Sequence, residues 1–124
     1  MTKRILVVED QEDNRRILPD LLGAAGYEIS EAHDGEQALP MALASKPDLI
    51  LMDIQLPLMD GYEATRRIKA DPALASIPII VVTSYALSGD EEKARAAGCD
   101  DYVAKPFSPR RLLAKIREFL PGSS

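Results

Sequence analysis

The chain carries a single cysteine, Cys99, and a single histidine, His33. One thiol cannot form an intrachain disulfide, so a scaffold stapled by bridges is excluded, and the expected setting is the reducing cytoplasm. Long apolar runs are also missing. The hydrophobic stretches are about four or five residues long, against the ~20 that a membrane span needs. No signal-peptide pattern precedes the first strand-like run, which follows directly on Met1-Thr2-Lys3-Arg4. Nor is there an excess of positive charge: 20 Asp and Glu against 15 Lys and Arg give a net charge of -5, which argues against direct nucleic-acid binding. Repeats, low-complexity tracts and linkers are absent. A secreted mini-protein, a membrane protein and a disordered tail are thereby excluded.

What remains is a chain of 124 residues with 46% hydrophobic content, which suits one domain over residues 1–124 with a core of its own. Short apolar runs alternate with helix-like stretches. Ile5 to Val8, Leu49 to Met52 and Ile79 to Val82 are apolar at every position, the pattern of strands covered by helices on both faces of a parallel sheet. Tyr27 to Ala32 is mixed and suits an edge strand, and Tyr102-Val103-Ala104 supplies a fifth.

Between them, Ile17, Leu18, Leu21, Leu22 and Ala25 recur at helical spacing before Gly26. Asp34-Gly35 opens a second helix through Ala38, Leu39, Ala42 and Leu43, ending before Pro47. Glu63 to Ala70 forms a third, Ser88 or Asp90 caps a fourth that stops at Gly98, and Pro109 starts a fifth that buries Leu112, Leu113, Ile116, Phe119 and Leu120. Pro19 and Pro40 fall inside predicted helices, where local kinks are expected and no function explains them. The expected fold is α/β: a doubly wound, flavodoxin-like, five-stranded parallel sheet of order 2-1-3-4-5 with five helices.

In such sheets ligands bind beyond the carboxyl ends of the strands, where the strand order reverses. Those ends carry Glu9-Asp10, Asp53, Thr83 and Lys105. Three carboxylates converging on one crevice repel one another unless a cation intervenes. They offer hard oxygen ligands with no sulfur or imidazole, which points to Mg²⁺, an ion that accepts one or two carboxylates and keeps several waters. Asp53 could then attack phosphorus and form an acyl phosphate, with Lys105 and the metal neutralising the phosphoryl oxygens and Thr83 donating a hydrogen bond. Singly, each residue reads as a helix cap or a surface charge; their joint placement on four strand ends carries the argument.

The segment Met52-Asp53-Ile54-Gln55-Leu56-Pro57-Leu58-Met59-Asp60-Gly61, together with Val7-Val8-Glu9-Asp10, Val81-Val82-Thr83 and Lys105-Pro106-Phe107, resembles the receiver domain of two-component response regulators over essentially the whole chain. The resemblance implies that Asp53 is the phosphoacceptor. It also implies that Asp10, Asp53 and the backbone carbonyl of Gln55 bind Mg²⁺, with Glu9 acting through water. Thr83 and Lys105 would contact the phosphoryl group, the Lys105-Pro106 peptide would be cis, and Tyr102 would be a switch aromatic that turns inward as Thr83 moves. The fourth helix, fifth strand and fifth helix would form the readout surface.

The implied partners are a histidine kinase or a histidine phosphotransfer protein and a downstream protein target, with no direct nucleic acid and no membrane. The implied state is a monomer or a weak phosphorylation-dependent dimer, and the implied chemistry is limited to the chain's own aspartate. Ser84 departs from the commoner alanine or glycine, and Tyr85 stands where it could shield the site from water. His33 reads as a solvated loop residue, Cys99 as a small core filler, and Arg110, Arg111, Lys115 and Arg117 as a basic face. Met1 just before the first strand suggests a stand-alone regulator; a receiver excised from a hybrid histidine kinase is the alternative, as is a phosphorylation-independent interaction module. A haloacid-dehalogenase-type phosphatase would want a second aspartate where Gln55 stands. A flavin carrier would need a glycine- and hydroxyl-rich first loop in place of Glu9-Asp10-Gln11-Glu12-Asp13.

Overall fold

The three runs that are apolar at every position become the three central strands. The structure, a computed structural model, describes residues 3–9, 20–53, 61–83, 90–104 and 108–120, with the backbone alone at 83, 90, 91, 94 and 104. Its strands are β1 (Arg4–Val8), β2 (Glu28–Ala32), β3 (Leu49–Asp53), β4 (Ile79–Thr83) and β5 (Asp101–Ala104). They form one sheet of order β2-β1-β3-β4-β5, parallel throughout. The mixed segment with Glu28, Ser30 and Glu31 takes an edge, as its polarity requires.

Alternation along the strands divides the core in two. Leu6, Val8, Ile50, Met52, Ile79 and Val81 pack on one face with Ala38 and Ala42 of α2 (Gly35–Ser45) and Ala64 and Ile68 of α3 (Gly61–Ala70). On the other face Ile5, Val7, Leu49, Leu51 and Ile80 meet Leu22 of α1, whose described part is residues 20–24, and Leu112 and Ile116 of α5 (Pro109–Phe119). Each fully buried aliphatic side chain of this kind stabilises the fold by about 1.5–3 kcal/mol. Helix α4 (Asp90–Ala97) connects β4 to β5.

The helix ends follow the local chemistry. Asp34 caps α2, its Oδ1 accepting from the Gln37 N–H at 2.8 Å, and Gln37 returns the bond through Oε1 to the His33 N–H at 3.0 Å. His33 is exposed in that turn, as expected. Gly26 and Gly98 take positive φ, 98° and 105°, where the helices before them stop. At the end of α2 the same left-handed position is filled by Lys46, with φ 47°, at a cost of about 1 kcal/mol relative to glycine. Helix α2 continues through Pro40; nothing in the structure explains that residue, and Pro19 lies outside the described residues.

Five expectations change. Helix α3 already includes Gly61 and Tyr62, two residues ahead of Glu63. Asp90 belongs to α4 itself and not to its cap, while Ser88 lies outside the described residues. Leu43, read as part of the apolar stripe of α2, is 42% exposed. In α5, Leu112, Ile116 and Leu120 are buried but Leu113 and Phe119 only partly so, and Lys115 is drawn out of the basic face by Asp101, 3.1 Å away.

The amino edge of the sheet is closed by polar contacts that sequence patterns do not signal. Lys69 Nζ lies 2.8 Å from Asp100 Oδ2 and donates to the carbonyls of Ile77 at 2.8 Å and Ala75 at 3.3 Å. The same Asp100 oxygen accepts the Ile79 N–H at 2.8 Å. One lysine thereby ties the end of α3 to the starts of β4 and β5.

Candidate functional site

At the carboxyl edge the residues come together through strand register. Val8 of β1 pairs with Met52 of β3, so the next step along both strands sets Glu9 beside Asp53. Glu9 is held there by its N–H, which donates to the Ala32 carbonyl at 3.0 Å, and its side chain is 1% exposed. Asp53 is the last residue of β3, pairs with Val82 of β4 and is 4% exposed. Two carboxylates are thus buried on neighbouring strands on either side of the point where strand order reverses, the place an open α/β sheet offers to a ligand. Sheets seldom bury acidic groups of one sign together without a partner that compensates them.

Thr83 ends β4, and its Cα register partner is Ala104, the residue before Lys105. Tyr102 pairs with Val81, two positions before Thr83, and is half-buried against the α2–α3 side of the core. Asp10, Gln55, Lys105, Ser84 and Tyr85 lie outside the described residues, as do Ile17 and Leu18 of the first helix. Among the described residues no three His, Cys, Asp or Glu side chains form a metal-holding group; Glu9 and Asp53 make two, and Asp10 is the third carboxylate expected. The donor set fits a hard cation: buried carboxylate oxygens, with no sulfur or imidazole beside them among the described residues, suit Mg²⁺ better than zinc.

Residues 5–117 match the family of response regulator receiver domains. The chain belongs to that family. Among the curated relatives of this receiver, the polar-differentiation response regulator DivK of Brucella ovis is 46% identical over 120 residues, spanning 97% of this chain and 98% of DivK. Among solved structures, the receiver domain of a sensor histidine kinase from Pseudomonas aeruginosa is 39% identical, with a TM-score of 0.90 over 97% of this chain and 98% of that one, and it holds a magnesium ion in its active-site cleft. A chemotaxis response regulator of Vibrio cholerae is 28% identical, with a TM-score of 0.90 over 96% of this chain and 99% of that one. The five-stranded order and doubly wound layers are those of these receivers, and the phosphatase and flavin-carrier readings fall away.

Proposed function

We propose that this receiver, occupying residues 1–124, accepts a phosphoryl group on Asp53 from a histidine kinase or a histidine phosphotransfer protein. The observation that carries the reading is the pair of buried acids at the strand-order reversal, Glu9 and Asp53. An Asp53 carboxylate oxygen forms the new O–P bond as the donor's P–N bond breaks. The electron pair leaves on the imidazole nitrogen, which takes up a proton. Glu9, Asp10, Asp53 and the Gln55 carbonyl would hold Mg²⁺, which supplies positive charge opposite the phosphoryl oxygens when bound. The relative with magnesium in its cleft supports that assignment.

Lys105 balances a further phosphoryl oxygen, and the Thr83 hydroxyl donates a hydrogen bond to another. Tyr102 follows Thr83 inward, and the surface of α4, β5 and α5 changes for a downstream protein target. The chemistry is confined to the chain's own aspartate, in the cytoplasm, with no nucleic acid or membrane engaged directly. The protein works as a monomer or as a weak dimer formed on phosphorylation.

Incubation with acetyl phosphate and Mg²⁺, read by intact mass, tests this. One phosphoryl group is expected on the wild type and none on Asp53→Asn. Equal labelling of both would displace Asp53, and no labelling of either would leave the phosphorylation-independent module as the better reading.

A further inference from the structure

The amino end of the sheet carries a second surface that the phosphorylation site does not use. Leu43 is the one large hydrophobic side chain exposed among the described residues. It borders an open cavity of about 330 Å³ whose other walls are Pro47, Ala73, Leu74 and Ile77, with Lys46 the only charged residue on the rim. Pro47 lies just before β3 and Ile77 just before β4, so the cavity opens at the end of the sheet opposite Asp53.

Lys46 is the second observation. Of the described residues with positive φ, two are glycines and the third is this lysine. A glycine would relax the turn, yet the position holds an exposed cation with no ion-pair partner among the described residues. Its backbone N–H, and not its side chain, closes the helix by donating to the Ala42 carbonyl. An apolar hole beside an ammonium that pairs with no described residue complements an apolar side chain flanked by acid.

We infer that this cavity docks an acidic segment of a partner protein that inserts a leucine-sized side chain against Leu43, Leu74 and Ile77 while a carboxylate meets Lys46. The patch is much smaller than the ~800 Å² per partner of a stable complex, so the contact is weak and reversible and adds avidity to whatever engages the readout surface. Its distance from the carboxyl edge makes it indifferent to phosphorylation.

The probe is a blocked synthetic peptide with a leucine pair flanked by glutamates; its control carries lysines in place of the glutamates. Titrated into the full chain and followed by backbone amide NMR, the acidic peptide is expected to give saturable shifts at residues 43–46 and 73–77, unchanged after acetyl phosphate and Mg²⁺. Lys46→Glu should weaken it about tenfold and make the lysine peptide the better ligand, since charge reversal at a contact inverts preference. Leu43→Glu should weaken both peptides, and Lys46→Gly should keep the fold while abolishing the preference for acid. Shifts confined to α4, β5 and α5, equal affinity for the two peptides, or the absence of saturation would overturn the proposal. Shifts at the same residues that follow protein concentration without peptide would overturn it as well, by giving the patch to a second copy of the chain.

Discussion

At the amino edge of the sheet charges of opposite sign are interleaved, whereas at the carboxyl edge the two buried charges among the described residues, Glu9 and Asp53, share one sign. Lys69 sits 2.8 Å from Asp100 and is shared with two backbone carbonyls. Arg4 donates its N–H to Asp48 at 2.8 Å and a guanidinium N–H to the Ser45 carbonyl at 3.1 Å. At the other edge Glu9 and Asp53 each follow the last registered pair of β1 and β3, Val8 and Met52, and both are buried. The first arrangement lowers the energy of the fold as it stands. The second gathers acid at the place where a cation is proposed to bind, and regions selected for ligand chemistry are often locally unfavourable for stability. Both edges belong to the same five strands, so the difference lies in side chains and not in architecture.

The largest effect that separates the edges is on unfolding free energy. Lys69→Met removes the ion pair and leaves two carbonyls without their donor, and should cost about 2–4 kcal/mol. Asp53→Asn replaces a carboxylate by an amide of the same shape and should change stability by no more than about 0.5 kcal/mol when no divalent cation is present. Urea midpoints for the two variants and the wild type check this. Comparable losses in both variants would erase the distinction.

Adding the cation sharpens the comparison with a smaller effect. Mg²⁺ at ten times its Kd should raise wild-type stability by about 1.4 kcal/mol. The increment should persist in Lys69→Met and vanish in Asp53→Ala. A gain that survives in Asp53→Ala would put the cation elsewhere.

The fold was legible because its signals are redundant. Three all-apolar runs could only be central strands, and the polar mixture of Glu28 to Glu31 could only be an edge. Gly26 and Gly98 marked helix ends through the backbone freedom that glycine alone has. The placement of Glu9 and Asp53 at strand ends was equally readable, since a run of apolar residues that stops at an acid announces where the sheet ends.

The amino edge was not readable. Lys69 and Asp100 are 31 residues apart, with β4 and α4 between them, and a lysine near the end of a helix looks the same whether it is solvated or clamped. Leu43 fits the helical period of α2, but period alone does not say how far α3 and the segment after it cover that stripe. The left-handed turn at Lys46 was hidden because the residue expected there is glycine.

The smallest effect belongs to Cys99, buried at the amino edge beside Asp100. Burial pushes its thiol from the ordinary 9.0 up to about 11, with Asp100 and Asp101 acting in the same direction and Arg95 and Lys69 against it. The fold therefore accepts the neutral thiol and resists the thiolate. Its contribution is fully present below pH 9.0 and is lost as the pH climbs from there towards about 11, at up to about 1.4 kcal/mol for each pH unit. Lysine side chains also titrate in this range, so the informative quantity is the difference between the wild type and Cys99→Ala. That difference, about 1 kcal/mol from the lost packing, should stay constant between pH 7 and 8 and shrink or reverse as the pH rises above 9.0, where only the wild type carries the thiol. A constant difference across the whole range would mean that water reaches Cys99, and the amino edge would then be less tightly closed than its ion pairs imply.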